Sequence, residues 1–178
     1  MKKQFTIFVY TENNIGLLSR LSNIFSRRHV NIDSITCSES EIKGVHRFTI
    51  VVQMELDKVE KIVKQIDKQI EVLKAIYFEN EKVVYQEVAL YKIPVSVFSS
   101  GKEIEQIVRA HYARVLSVHS DYVIIEKTGH EKETTELFEA LSHYGLTGFV
   151  RSGRIALPKS MESLQDYIKE LEPTFNIN

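Results

Sequence analysis

The order in which two apolar periodicities follow each other constrains the fold of this chain most. Residues 4–10 alternate between apolar and polar positions, as a half-buried strand does, with Phe5, Ile7 and Val9 on one face. Apolar residues then recur at helical spacing over residues 17–25, with serines, an arginine and an asparagine between them. The chain therefore opens with a strand and an amphipathic helix.

Further strands and a second helix complete the first half of the chain. Strands are predicted at residues 31–38, 45–54 and 72–78. A second amphipathic helix is predicted before the last strand, with an inward face of Val59, Ile62, Val63, Ile66 and Ile70. This β-α-β-β-α-β order is that of a ferredoxin-like domain, in which two helices cover one face of an antiparallel sheet. The other sheet face then needs cover, often from a second copy.

The same order returns after a polar linker at residues 79–85, without a clear residue-by-residue match between the halves. The expected elements are a strand at 88–95, a helix with Ile104, Ile107, Val108 and His111 inward, a hairpin of 115–119 and 122–126, a helix at 134–144, and one or two strands within 146–157. We therefore expect an α+β chain of two ferredoxin-like domains in tandem, at residues 1–78 and 86–160, with a helical tail at 161–178.

Charge and composition argue against several classes of partner. The 178 residues carry 23 basic and 24 acidic side chains, a formal net charge of −1, whereas a nucleic-acid-binding domain usually shows a basic surplus. Nowhere do 18 apolar residues follow one another, so no membrane span is expected. The single cysteine, Cys37, excludes an internal disulfide and is expected to be a small buried residue. We expect a soluble cytoplasmic protein.

No pattern of residues indicates catalysis or a cofactor. Neither a dinucleotide-binding glycine motif nor a phosphate-binding loop nor a nucleophile elbow occurs. The six histidines form no pair at the spacing that places two imidazoles on one helix face, and we interpret them as structural or solvent-facing. A metal site assembled across strands is the alternative. We expect no catalytic residue, no metal ligand and no cofactor in this chain.

The turn between the first strand and the first helix is the best candidate binding site. Backbone N–H groups at a helix start are unpaired and carry partial positive charge, which suits a carboxylate. Gly16 has no Cβ, so a ligand can approach the backbone there. Asn13 and Asn31 each offer a carbonyl acceptor and an amide donor, which suit the charged groups of a free amino acid. The alternative is that Asn and Gly are simply good turn residues.

Several segments together resemble the small, regulatory subunit of acetohydroxyacid (acetolactate) synthase. The matching segments are residues 12–21 (Glu-Asn-Asn-Ile-Gly-Leu-Leu-Ser-Arg-Leu), 24–28 (Ile-Phe-Ser-Arg-Arg), 30–35 (Val-Asn-Ile-Asp-Ser-Ile), 47–50 (Arg-Phe-Thr-Ile), the helix at 60–72, 90–93 (Leu-Tyr-Lys-Ile) and 150–153 (Val-Arg-Ser-Gly). The resemblance covers most of the chain up to about residue 159. His29 stands where members of this family often have glycine.

The resemblance implies an amino-acid-binding ACT domain followed by a second ferredoxin-like domain. Two ACT domains would pair side by side as a homodimer and bind a feedback amino acid, chiefly valine, at their interface. Thiamine diphosphate, Mg²⁺ and FAD would sit in the separate catalytic large subunit, which this chain would stimulate and make sensitive to the end product of branched-chain amino acid biosynthesis. By position, the effector-binding residues would be Asn13, Gly16 and Asn31, with Leu17, Leu18 and Ile32 as their neighbours.

Two other functions stay open at this point. A stand-alone ACT-domain sensor of an amino acid or a metal could act on a different partner, although no helix-turn-helix segment suggests DNA. An enzyme in its own right would need catalytic residues that the sequence does not indicate.

Overall fold

A computed structural model describes residues 1–100, 102–160 and 166. The chain divides into two compact units. Unit 1 comprises Met1–Val84 together with the stretch that begins at Ala156, and unit 2 comprises Tyr85–Ile155. The helical tail expected at residues 161–178 lies outside the described residues, apart from Asp166.

Unit 1 has the predicted β-α-β-β-α-β order. Its elements are β1 (Lys3–Glu12), α1 (Leu17–Ser26), β2 (Ile32–Glu39), β3 (Val45–Met54), α2 (Leu56–Asp67) and β4 (Val72–Glu79). The four strands form a sheet in the order β2-β3-β1-β4, and every neighbouring pair is antiparallel. Strand β2 therefore lies at an edge of this sheet.

The core of unit 1 lies between the sheet and its two helices. The inward face of β1, formed by Phe5, Ile7 and Val9, is fully buried. Helices α1 and α2 each contribute one apolar stripe to the same cluster, which includes Leu17, Leu21, Ile24, Phe25, Val59, Ile62, Val63 and Ile66. A helix with one apolar stripe is stable only when that stripe is covered, so these contacts fix both helices on the sheet.

The opposite face of this sheet is also buried within the single chain. Phe8 and Tyr10 alternate with the inward residues of β1, yet they are nearly inaccessible to solvent. The guanidinium of Arg47 lies 4.3 Å from the centre of the Phe8 ring and donates a hydrogen bond to the main-chain carbonyl of Ala156. The side chain of Arg47 therefore covers Phe8 and Tyr10 from within the same chain.

Unit 2 repeats the order with an added short helix. A 3-10 turn at Asn80–Lys82, still within unit 1, leads into β5 (Val83–Pro94). Unit 2 continues with α3 (Val95–Ser100), α4 (Lys102–Ala110), β6 (Arg114–Val118), β7 (Tyr122–Gly129), α5 (Glu131–Ser142) and β8 (Gly148–Arg151). The last strand, β9 (Ile155–Pro158), begins at the final residue of unit 2 and continues into the stretch assigned to unit 1. The strands follow the order β6-β7-β5-β8, and β9 also pairs with β5. The core contains Ala89, Tyr91, Ile93, Ile104, Val108, Val123, Ile125, Leu137 and Leu141. Two ferredoxin-like units are thus present, as predicted.

Three local expectations were wrong. Helix α2 ends at Asp67, whose carboxylate accepts a hydrogen bond from the Ala75 backbone N–H at 2.7 Å, and Ile70 is consequently 94% exposed in the following turn. His111 lies just beyond α4. Cys37 is exposed because it lies on the edge strand β2.

Candidate functional site

The turn between β1 and α1 has a backbone shape that glycine alone adopts easily. Gly16 precedes α1 with φ of 84° and ψ of 0°, in the left-handed region. No side chain caps the start of α1. A helix start without a capping side chain leaves backbone N–H groups to be satisfied by water or a ligand. The Asn14 amide reaches back to Glu12 at 3.2 Å, which closes the turn on its other side.

The predicted neighbours of Gly16 point in different directions. Leu17 is 3% exposed and belongs to the core of unit 1, so it anchors the turn to that core. Leu18 is 52% exposed, and Ile15 at the tip of the turn is 99% exposed. Asn13 is exposed as well. The turn therefore exposes an amide, a bare backbone segment and two apolar side chains to solvent.

Asn31 and Ile32 lie at the other end of unit 1. Helix α1 has ten residues, which separates its two ends by about 15 Å. On the sheet, Glu12 pairs with Val45 and Ile32 pairs with Val52, so the two positions are seven residues apart on β3, about 23 Å. A single chain therefore does not bring Asn13 and Gly16 together with Asn31 and Ile32.

A polar cavity of about 240 Å³ adjoins Asn31. Its lining comes from the N-terminal Lys2, the connection from α1 to β2, the end of β3 and the start of α2, and comprises Lys2, His29, Val30, Asn31, Asp33, Gln53, Met54, Glu55 and Lys58. Asp33 sits in a bulge, because the register of β2 on β3 shifts between Ile32 and Ser34. Apart from Asn31, no sequence pattern singles out these residues, because they come from separate segments.

Two other cavities have polar linings in which some of the charged side chains form ion pairs. In the groove between α1 and α2, Arg20 forms an ion pair with Glu71. A hydrogen bond from the backbone N–H of Glu71, and then Arg20, lower the pKa of this carboxyl. A larger cavity of about 610 Å³ lies along α5, where Glu131 is bound by Arg151 at 3.0 Å and the His130 ring packs on Tyr85.

Arg151, one of the residues that carry the family resemblance, points into unit 2. Its guanidinium lies 3.4 Å from the carboxylate of Glu87 and also donates to the hydroxyls of Thr134 and Thr135 at 3.2 Å. Glu87 is 7% exposed, and burial raises its pKa, while the charge of Arg151 opposes that rise. The alternation of β5 places Glu87 on the same inward face as Ala89 and Tyr91, a signal from which the ion pair could have been predicted.

The described part of the chain offers little for metal or membrane chemistry. Among these residues, no three His, Cys, Asp or Glu side chains converge as metal ligands. Cys37 and His46 do approach each other, with 3.9 Å between Sγ and Nδ1, but burial raises the pKa of the thiol. In the same residues, no helix has the length and apolarity to cross a bilayer.

Two family models match the two halves of the chain. Residues 7–74 match an "AHAS small subunit-like ACT domain", and residues 86–160 match the "Small subunit of acetolactate synthase". The acetolactate synthase small subunit of Bacillus subtilis is 37% identical over 163 residues, which cover 91% of this chain and 93% of the relative. That of Mycolicibacterium smegmatis is 34% identical, covering 86% of this chain and 90% of the relative.

A solved structure agrees with both the fold and the sequence matches. The crystal structure of the acetolactate synthase small subunit from Thermotoga maritima superposes with a TM-score of 0.79 and 29% identity, covering 89% of this chain and 98% of the other. The matches span both units and nearly the whole length of each relative. The chain belongs to the acetolactate synthase small subunit family.

Proposed function

We propose that this chain is the regulatory subunit of an acetolactate synthase. It would stimulate the catalytic large subunit and make it sensitive to valine, and it would function in the cytoplasm. Membership in the small-subunit family supports this role. The chemistry, with its thiamine diphosphate, Mg²⁺ and FAD, would belong to the large subunit. Residues 1–78 would act as the effector-binding ACT domain, and residues 86–160 would engage the catalytic partner.

The separation of the two predicted half-sites is the observation that carries the effector proposal. Asn13 and Gly16 lie at one end of unit 1, whereas Asn31 and Ile32 lie at the other. Strand β2 is an edge strand, and two copies of an edge strand can pair antiparallel about a two-fold axis. Such an arrangement reverses the partner end for end, so the partner's Asn31 and Ile32 approach the Gly16 turn. Each pair of chains then has two complete effector sites.

The two half-sites offer complementary chemistry to a branched-chain amino acid. Backbone N–H groups at the start of α1 suit a carboxylate, and asparagine amides suit both charged groups of the ligand. The exposed side chains of Ile15 and Leu18 supply apolar surface for an aliphatic side chain. Leu17 supports the turn from the core without contacting the ligand.

Reconstitution with the catalytic subunit of the same organism tests the proposal. Acetolactate formation from pyruvate is measured with the catalytic subunit alone, with this chain added, and with valine at millimolar concentration. We expect stimulation that valine reverses. The variant Gly16→Asp should still stimulate but should need at least tenfold more valine for inhibition, because its carboxylate repels that of the ligand.

Gly145→Asp is the matched control, because Gly145 also has a positive φ, of 74°, but lies in unit 2. Both variants carry the same kind of backbone strain, so only a loss specific to Gly16 supports the site. Equal valine inhibition of Gly16→Asp and the unaltered chain would contradict the effector site. Absence of stimulation would contradict the regulatory role and favour a stand-alone amino-acid sensor.

A further inference from the structure

The cavity beside Asn31 contains charged side chains that no other described residue neutralises. Two ammonium groups, from Lys2 and Lys58, and two carboxylates, from Asp33 and Glu55, line it. Within the described residues, none of its polar side chains forms a hydrogen bond or an ion pair. The α1/α2 groove and the cavity along α5 differ, because side chains that line them form ion pairs.

A local irregularity of the backbone sets Asp33 apart from the other residues of β2. The register shift between Ile32 and Ser34 leaves Asp33 without a partner residue on β3. A bulge of this kind re-aims a side chain and is common next to binding sites. Asp33 lines the cavity from β2, and Lys58 lines it from the first turn of α2.

The size and charge balance of the cavity define the class of ligand. Its volume of about 240 Å³ is below the roughly 300–1,000 Å³ of sites for drug-sized molecules, so it suits a small metabolite. Two positive and two negative groups without partners match a ligand that itself carries one charge of each sign. A free α-amino acid with an aliphatic side chain has that charge pattern.

We propose that this cavity recognises the two charged groups of the amino acid effector. The carboxylate of Asp33 receives the α-ammonium group, and the ammonium of Lys58 pairs with the α-carboxylate. This inference rests on the proposed effector site, of which Asn31 is already a part, and it adds the residues that distinguish an amino acid from other small aliphatic molecules. The Gly16 turn of the partner chain would then close over the ligand from the other side.

Calorimetric titration with valine tests this assignment. Loss of one hydrogen bond to a charged group reduces affinity about tenfold. We therefore expect Asp33→Asn and Lys58→Gln each to weaken valine binding by about this factor. Asp57→Asn and Lys61→Gln are matched controls, since both residues are exposed on α2 but do not line the cavity. These controls should bind valine as the unaltered chain does.

Two valine analogues assign each charge to its partner, using NMR titration because they bind weakly. Isovalerate lacks the ammonium group, so Asp33→Asn should not weaken its binding. Valinamide lacks the carboxylate charge, so Lys58→Gln should not weaken its binding. If both variants bind valine like their controls, this inference is wrong while the effector site stands. If the unaltered chain itself binds no valine, the effector site and this inference are both wrong.

Discussion

Two non-glycine residues hold a left-handed backbone conformation at the same place in each unit. His29 and Tyr112 have φ of 53° and 52°, and each follows the helix that precedes the second strand of its unit. In both cases the next residue donates its N–H back into the helix, from Val30 to Phe25 at 3.1 Å and from Ala113 to Val108 at 2.9 Å. Helices often end in this way at a glycine. Here the left-handed residue is a histidine or a tyrosine, whose Cβ disfavours the conformation.

Tyr112→Gly should therefore stabilise the chain by about 1 kcal/mol, because glycine adopts this backbone conformation without strain. The Tyr112 side chain is 90% exposed, so little packing is lost. Urea unfolding followed by circular dichroism measures the change. Tyr112→Ala, which removes the ring but keeps the strain, should give no such gain. Equal stability of the glycine and alanine variants would show that the backbone conformation is not the cause.

The exposure of a single residue was harder to predict than the helix or strand in which that residue lies. Cys37 lies in a strand as expected, but β2 is at the sheet edge, and a sequence pattern does not reveal which strand is the edge. Leu17 and Leu18 are adjacent in sequence, and only the orientation of α1 on the sheet decides that the first is core and the second surface. Which residues of the candidate site are exposed could therefore be seen only in the structure.

At the scale of elements, Arg151 joins three parts of unit 2. It extends from β8 to Glu87 on β5 and to Glu131, Thr134 and Thr135 on α5. The buried Tyr91 hydroxyl adds a hydrogen bond of 2.6 Å to the carbonyl of Thr134. Burial raises the pKa of Tyr91 to about 12, so this hydroxyl stays protonated and donates at physiological pH.

Arg151→Leu should destabilise the chain by about 2 kcal/mol near pH 8, because it leaves the buried carboxylate of Glu87 unpaired. Burial already raises the pKa of Glu87, and loss of the opposing charge of Arg151 raises it further. A carboxyl whose pKa is higher in the folded state favours folding below its unfolded pKa and loses this contribution as the pH rises through its folded pKa. The deficit should therefore shrink toward pH 5.

Thermal or urea unfolding between pH 5 and pH 8 measures this deficit. Arg109→Leu is the matched control, because Arg109 forms only an exposed pair with Glu105 at 3.9 Å. Its effect should stay within about 0.5 kcal/mol and change little with pH. A deficit of Arg151→Leu that is the same at both pH values would contradict the role assigned to Glu87.

The elements were predictable where periodicity is strong and less so where a turn is stabilised by specific contacts. The alternation of β3 gave its bounds correctly, since both of its faces are regular over ten residues. Ile70 continues the apolar spacing of α2, but the helix has ended three residues earlier, where Asp67 bonds to β4. The residues of the candidate site are a prediction from the sequence, whereas the separation of its two halves required the strand register.

At the scale of the whole molecule, the proposed effector site depends on the proposed pairing of two chains through β2. Ile35 lies on this edge strand and is 36% exposed, and a lysine there would oppose strand addition. Ile35→Lys should therefore convert a dimer at micromolar concentration into a monomer and abolish the valine response. Sedimentation velocity measures the change.

Val115→Lys is the matched control for this variant. Val115 has a similar exposure, 39%, and lies on β6, the edge strand of the second sheet. This variant should remain a dimer. A monomer from Val115→Lys together with a dimer from Ile35→Lys would assign the pairing to unit 2 instead, and a monomeric unaltered chain would contradict the two-chain site.

The length of α1 has a consequence for how the potency of the effector depends on the concentration of this chain. Since ten helical residues keep the two half-sites apart in one chain, an effector that needs both acts as a bridge between chains. Its binding and the assembly of the pair then strengthen each other to the same extent. The potency of the effector would rise with the concentration of the small subunit and fall on dilution. In the proposed role, the amount of this chain in the cell would therefore set how sensitive the synthase is to the effector.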